Sequence, residues 1–230
     1  MKNFTLSYLF IVFISSSFFL GCSSDDDEQT PEAIEYESVL IGNQEWMLEN
    51  LDVETYRNGD TIPRLQEGQI WEELTTGAWT LVTYDGFDGL GYGKLYNWYA
   101  VNDPRGLAPE GWRIPTNEDW TELSDFLGGE SVAGGKLKST GTIEAGDGLW
   151  HQPNEGATNE SGFSGLPSPI KGGGGITPPG YEAKWWSSDE YDSEIGSIVW
   201  TNYGAETLVH WGRLKSAGLS VRCIRETDVE

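Results

Sequence analysis

The sequence predicts an α+β fold, with short helices in the first half and antiparallel strands at both ends. Three stretches carry that prediction. Val39-Leu40-Ile41, Gly42-Asn43-Gln44 and Glu45-Trp46-Met47 read as two strands folded about a glycine turn. Asn117 to Leu127 reads as a capped amphipathic helix. Gly141 to Gly180 holds 11 glycines and 5 prolines with no sustained period, and strand-like runs follow it. Strands and helices gathered in separate parts of a chain, rather than alternating, describe α+β and not a parallel α/β sheet.

Ahead of this domain, Met1 to Thr30 has the order of an export signal. Lys2 gives the positive start, Phe4 to Leu20 is an apolar run broken by Ser15, Ser16 and Ser17, and Ser23-Ser24-Asp25-Asp26-Asp27-Glu28 follows abruptly. The run is too short and too interrupted for a membrane-spanning helix. Phe19-Leu20-Gly21-Cys22 resembles the lipobox of bacterial lipoproteins, with Phe19 in place of the usual Leu. The likeness implies cleavage after Gly21, lipidation of Cys22 and anchoring in a bilayer. Each buried methylene contributes about 0.8 kcal/mol, so the three chains of such a cysteine hold a protein permanently. The acidic run also resembles the tag that carries some lipoproteins to the cell surface in the Bacteroidetes, which implies an outer-membrane, surface-exposed location. The expected organisation is a signal peptide over 1–21, an acidic linker over 22–34, one domain over 35–226 and a tail over 227–230. Like charges extend the linker, to on the order of 40 Å at full stretch.

Within the domain, Asn50 to Val53 extends the second arm of the hairpin, and Gly59-Asp60 with Pro63 marks the next turn. Trp79 to Tyr84 alternates as a strand before the glycine-dense Asp85 to Gly93. Leu95 to Val101 is apolar almost throughout, so periodicity leaves strand and helix open, and a short helix after a strand-like entry is favoured. For the helix after Pro115, Thr116 is the cap and Asp119 stands at the capping-box position. Trp120, Leu123, Phe126 and Leu127 form its apolar face, and Gly128-Gly129 ends it. Ser131 to Lys138 forms a weaker helical turn. Lys184 to Ser187, Ser197 to Thr201, Glu206 to Trp211 and Leu219 to Arg225 read as strands.

Composition narrows the function. The whole chain carries a formal charge of −23, and without residues 1–21 it has 13 basic and 37 acidic residues, or −24. Such a surface repels phosphate backbones, so nucleic acid is not an expected partner. With Cys22 acylated, Cys223 has no partner for an intrachain disulfide. His151 and His210 are the only histidines, too few for a histidine–cysteine metal cluster. Tryptophan is the unusual residue, 11 against 6 for Cys, Met and His together.

Several phrases then fall in order: Gly93-Lys94-Leu95-Tyr96-Asn97-Trp98-Tyr99-Ala100-Val101, Leu107-Ala108-Pro109-Glu110-Gly111-Trp112-Arg113-Ile114-Pro115-Thr116 and Glu118-Asp119-Trp120. Gly135-Lys136-Leu137-Lys138, Thr158-Asn159-Glu160-Ser161-Gly162-Phe163-Ser164-Gly165-Leu166-Pro167, Trp185-Trp186-Ser187-Ser188 and Ser220-Val221-Arg222-Cys223-Ile224-Arg225 follow. From about Val39 to Arg225 the chain resembles the Fibrobacter succinogenes major paralogous domain, found mainly in bacterial lipoproteins and surface proteins. The resemblance implies a C-type lectin-like fold related to the sulfatase-modifying-factor group, and no particular activity. In such a fold the Val39 hairpin and the Leu219 to Arg225 strand close the domain, and Gly141 to Gly180 is the long loop.

Candidate chemistry follows from both sources. The related formylglycine-generating enzymes use a cysteine pair and copper. This domain has one cysteine, Cys223, which reads as a small buried residue of a closing strand, so no catalytic residue is assigned and an enzyme is not expected. Gly162-Phe163-Ser164-Gly165-Leu166 lacks the last glycine of a nucleophile elbow, and Gly172-Gly173-Gly174-Gly175 reads as a flexible loop. His151 reads as a solvated loop residue without a visible partner.

C-type lectins often hold calcium through Glu-Pro-Asn-like and Trp-Asn-Asp-like phrases. The near-matches are Gln152-Pro153-Asn154 and Trp200-Thr201-Asn202, which place a calcium candidate at Asn154, Glu155 and Asn202, with Asn159 and Glu160 as further oxygen donors. Trp150, Trp185, Trp186, Trp200 and Trp211 are candidates to stack on sugar rings. Neighbours on a strand face opposite ways, so one of Trp185 and Trp186 is expected to be exposed, with Trp186 the candidate ligand residue. The expected function is a non-catalytic surface module that binds glycan or protein. A structural part of the cell envelope comes second and an enzyme third.

Overall fold

Gly42, at φ +65°, turns the chain where the hairpin is expected. β1 (Ser38–Ile41) and β2 (Gln44–Met47) pair antiparallel on either side, from Ser38↔Met47 to Ile41↔Gln44. A side chain at 42 would sit in the left-handed region and put its Cβ 3.2 Å from the Phe126 ring. The computed structural model describes residues 35–65, 70–82, 89, 91–172 and 175–226. The export segment, Cys22, the linker to residue 34 and the tail from 227 lie outside the described residues, as do 83 and 84 of the expected Trp79 to Tyr84 strand.

Asn50 to Val53 does not prolong the sheet, because Asn50 turns inward and uses its amide in the core. β3 (Trp79–Thr80) and β4 (Leu95–Tyr96) make a two-residue ladder. α1 (Trp98–Val101) follows directly, with the Asn97 side chain accepting from the Ala100 amide, so the apolar run is a strand entry and a helical turn. α2 (Asn117–Phe126) and α3 (Glu130–Leu137) come next.

Two of the four glycines at 172–175 are strand residues: Gly172 ends β5 (Ile170–Gly172) and Gly175 begins β6 (Gly175–Thr177), which pair antiparallel, while 173 and 174 lie outside the described residues. β7 (Glu182–Glu190), β8 (Ile195–Asn202) and β9 (Val209–Leu214) form the largest sheet, in that order and antiparallel. β10 (Ile224–Glu226) returns to β2, with Ile224 opposite Trp46, and closes the domain as expected. Ahead of it, Leu219 and Ser220 make only single bridges, to Tyr96 and Trp185. The described residues therefore make an α+β domain. Among them no helix is long and apolar enough to cross a membrane.

Two apolar cores flank the large sheet, and neighbouring residues divide between them. Met47, Trp186, Ile198 and Cys223 enter one core, while Trp46, Trp185, Val199 and Ile224 enter the other. This is the two-residue alternation of extended chain with both faces covered. It corrects the expectation that one of Trp185 and Trp186 is exposed: both are fully buried. Trp185 joins an aromatic cluster in which Trp46 and Trp120 lie 4.6 Å apart and Phe163 meets Trp185 edge-on at 5.4 Å.

The long irregular stretch is pinned from within. Phe163 and Trp150 are fully buried. The buried Arg222 guanidinium gives hydrogen bonds from Nη1 to the carbonyls of Met47, Leu48 and Phe163, at 2.9, 2.6 and 2.8 Å.

α2 begins with the expected capping box. The Thr116 hydroxyl accepts from the Asp119 amide, and the Asp119 carboxylate accepts from the Thr116 amide at 2.6 Å. Arg113 adds two bonds, at 2.5 and 2.8 Å. The expected apolar face is corrected at one position: Trp120, Leu123 and Leu127 are buried, but Phe126 is 65% exposed and covers Gly42.

Burial opposes ionisation of Asp119, but Arg113 and Thr116 outweigh it and hold its pKa below 3.8. A lowered carboxylate pKa adds stability above the unfolded value, and that stability is lost as pH falls through the folded value. Asp119→Asn is expected to cost about 2 kcal/mol in urea unfolding at pH 7, and the gap to wild type should close below pH 3.8.

Burial pushes the Cys223 thiol up to about 12 and removes it from solvent. A thiol-reactive chromophore at pH 8 should therefore label Cys223 only as the domain unfolds, at the rate of unfolding.

Candidate functional site

The calcium candidates do come together, but around an ammonium. Lys138, the residue after α3, is fully buried, and its Nζ donates to the carbonyls of Glu155, Asn202 and Ala205 at 2.7, 3.0 and 2.9 Å. Glu155 and Asn202 thus converge through their backbones. The Asn202 side chain is occupied locally, accepting from the Gly204 amide. Asn154 turns its NH₂ to the carbonyls of Ser139 and Gly141. Trp150 is buried beside it, its ring 5.4 Å from the Lys138 Nζ and its N–H on the Gly165 carbonyl. Among the described residues no three His, Cys, Asp or Glu side chains are grouped to hold a metal ion.

The other candidates lie elsewhere. Asn159 holds a turn by bonding the Ser164 amide and hydroxyl. Trp186 gives its N–H to the Tyr96 carbonyl in the core. Trp200 is half-buried on the large sheet, with the Lys184 ammonium over its ring at 5.4 Å. Neither Trp150 nor Trp186 offers a face to a ligand. His151 has a partner that the sequence did not reveal: its Nδ1 lies 2.7 Å from Glu144 Oε1, and its ring stacks on Tyr181 at 4.3 Å. Glu144 also accepts from the Gln152 amide, so the pair fastens one part of the loop to another.

Among the described residues the two most exposed aromatic rings are Tyr191, in the turn between β7 and β8, and Trp211 on β9, at 69% and 68%. They border one cleft of about 500 Å³ with Asn117, Ile195, Ser197, His210 and Gly212. Secondary structure sets each position. Asp192 Oδ1 accepts from the Glu194 and Ile195 amides and shapes the turn that carries Tyr191. Register places Gly212 opposite Ser197 and Trp211 opposite Ile198. Gly212 clears the floor: a Cβ there would lie 2.5 Å from Ile195 and 3.4 Å from the Tyr191 ring.

The cleft also has polar groups. The Asn117 amide donates to the Ser197 hydroxyl at 3.2 Å, and its Oδ1 has no partner among the described residues. His210 Nε2 is likewise without a hydrogen bond, 3.9 Å from a Glu130 oxygen. Asp189 accepts from the Asn117 amide at 2.6 Å and fixes the start of α2 at the cleft wall. Aromatic rings together with a few polar side chains in the lining are the make-up of a small-molecule binding cleft.

Trp211 was among the tryptophans considered from sequence. Tyr191, Asn117, Ser197 and His210 were not marked as ligand residues. The alternation Val209-Trp211-Arg213 was a usable signal, since it puts large and charged groups on one side of a strand.

A family model described as the Fibrobacter succinogenes major domain matches residues 39–225. The chain belongs to that family. No curated protein and no solved structure matches it. In this major domain the recurring phrases fill the interior: Asn97, Trp98, Phe163, Trp185, Trp186 and Arg222 are all buried. Tyr191, Ser197, His210 and Trp211 lie outside those phrases. The family phrases therefore describe the framework, and the cleft stands apart from them.

Burial draws the Lys138 pKa down to about 8, against the raising influence of Glu155 and Glu206. Lys138→Met keeps the stem and strands three carbonyls. It should lower stability by about 3 kcal/mol, read by urea unfolding at pH 7.

Proposed function

We propose that this domain is a non-catalytic surface module that binds a glycan in the cleft between Tyr191 and Trp211. The observation that carries the proposal is the pair of exposed rings at the mouth of a cleft that Asn117, Ser197 and His210 also line. Sugar rings present apolar C–H faces to aromatic rings, and their hydroxyls suit the polar side chains of the lining, Asn117, Ser197 and His210. Single exposed aromatics are ordinary on a protein surface, whereas two bordering one cleft mark a contact site.

The scaffold is proposed to be C-type lectin-like. Support comes from terminal strands paired as β1-β2-β10, two helices of eight or more residues, and a long irregular stretch between them and the large sheet. Location is proposed from the sequence: lipid on Cys22 in the outer membrane, with the acidic linker holding the domain at the cell surface. No calcium is invoked, because the Lys138 ammonium already occupies the carbonyls of Glu155 and Asn202. The strong negative charge disfavours nucleic acid as partner.

The experiment is an oligosaccharide screen with the full chain in detergent, followed by calorimetry on Trp211→Ala. Affinity for the selected glycan should fall at least about tenfold, close to 1.4 kcal/mol, with an unchanged melting temperature. Wild-type protein that binds no oligosaccharide, or a Trp211→Ala protein that binds as well as wild type, would overturn the proposal.

A further inference from the structure

Trp211 belongs to two clefts, one on each side of β9. The second, about 290 Å³, is floored by Ile198 and Val209 and bordered by Trp200, Lys184, Arg213 and the Glu182 carboxylate that pairs with Lys184. Strand register explains the grouping: Ile198 faces Trp211 and Trp200 faces Val209 across β8 and β9, while Lys184 lies opposite Trp200 on β7. The charges there differ from those of the rest of the molecule. Acids outnumber bases 37 to 14 in the chain, so a basic side chain has carboxylates to choose from. Lys184 takes one, Glu182, at 2.5 Å. Arg213 takes none: among the described residues its guanidinium makes neither an ion pair nor a hydrogen bond. Its guanidinium leans over Gly172, where a Cβ would lie 3.1 Å away.

Resting on the glycan reading, we infer that this second cleft is an anionic subsite and that the ligand is an acidic polysaccharide. One sugar would stack at the Trp211 ridge while the carboxylate of a uronate residue pairs with Arg213. Trp211 and Arg213 are two residues apart on one face of a strand, about 6.7 Å along β9, so one chain of linked sugars reaches both. The planar guanidinium offers two parallel N–H groups to the two oxygens of a carboxylate. A uronate also fits the charges of the cleft: Glu182 is neutralised by Lys184, which leaves the Arg213 guanidinium for a carboxylate of the ligand. The cleft around Asn117 and His210, with Asp189 and Glu130 close by, suits the uncharged part of the chain.

The test uses the full chain in detergent and tetramers of galacturonate, glucuronate and mannuronate, each beside its carboxyl-reduced neutral counterpart and a sulfated neutral tetramer. At least one uronate tetramer should bind about tenfold or more tightly than its reduced form, a preference that shrinks between 50 and 500 mM salt. Arg213→Gln should bring the pair to within about twofold and leave neutral-sugar binding as in wild type. Arg213→Lys should keep the salt dependence and lose most of the preference. Equal affinities in wild type, a preference that survives Arg213→Gln, or stronger binding of the sulfated tetramer would overturn the subsite. If neutral sugars bind through Trp211 but carboxylates bring no gain, only this inference falls. If nothing binds to wild type, the glycan reading falls with it.

Discussion

A charged side chain taken out of water costs several kcal/mol unless its partners are many and well placed, and Arg222 sets that condition for the whole domain. Its guanidinium is fully buried, forms no ion pair among the described residues and relies on the bonds of Nη1 and Nε, with Nη2 left without a partner. Three carbonyls receive Nη1, the Asn50 side chain receives Nε at 3.1 Å, and the Phe163 ring lies 4.4 Å away. Asn50 is saturated in turn. Its Oδ1 also accepts from the Trp185 indole, and its NH₂ serves the Tyr92 carbonyl and the Ser168 hydroxyl. The exit of β2, the long irregular stretch, the start of β7 and the run into β10 meet at these two side chains. None of those segments can shift alone without leaving a buried polar group unmade.

Lys138 repeats the device on the other side of the irregular stretch, where α3, the residues around 155 and the end of β8 meet. The rare basic residues of this acidic chain are thus partly spent inside. Lys94 and Lys215 follow the pattern, each buried with carboxylate partners and an indole face, at 4.8 Å from Trp79 and 4.6 Å from Trp98. The surface keeps most of the acids.

Local signals in the sequence proved dependable because they rest on local physics. Gly42 needs its positive φ, and Thr116 and Asp119 bond within one turn of helix, so the hairpin and α2 were readable without knowledge of the rest. Both Trp185 and Trp186 being buried was not, since alternation tells which side a residue faces and not whether that side is covered. Phe126 failed for the same reason: it sits on the periodic face of α2 but at the edge, where the β1–β2 turn half-covers it. The lectin-like phrases named Asn154, Glu155 and Asn202 as neighbours, which they are. Lys138, the cation at their centre, lies 17 and 64 residues away from Glu155 and Asn202, beyond any motif. The cleft was the least legible part, because it needs Asn117 of α2 beside Ser197 of β8, and only tertiary packing joins them.

The carbonyl-bound cations have one more consequence, for how the molecule is made. A disulfide needs an oxidant and a metal cross-link needs a supply of ions, each tied to a compartment. Arg222 and Lys138 fasten the irregular stretch with parts carried in the chain itself. Closure by these two residues is complete as soon as the chain has folded, in reducing or oxidising surroundings alike, and nothing has to be added to it afterwards.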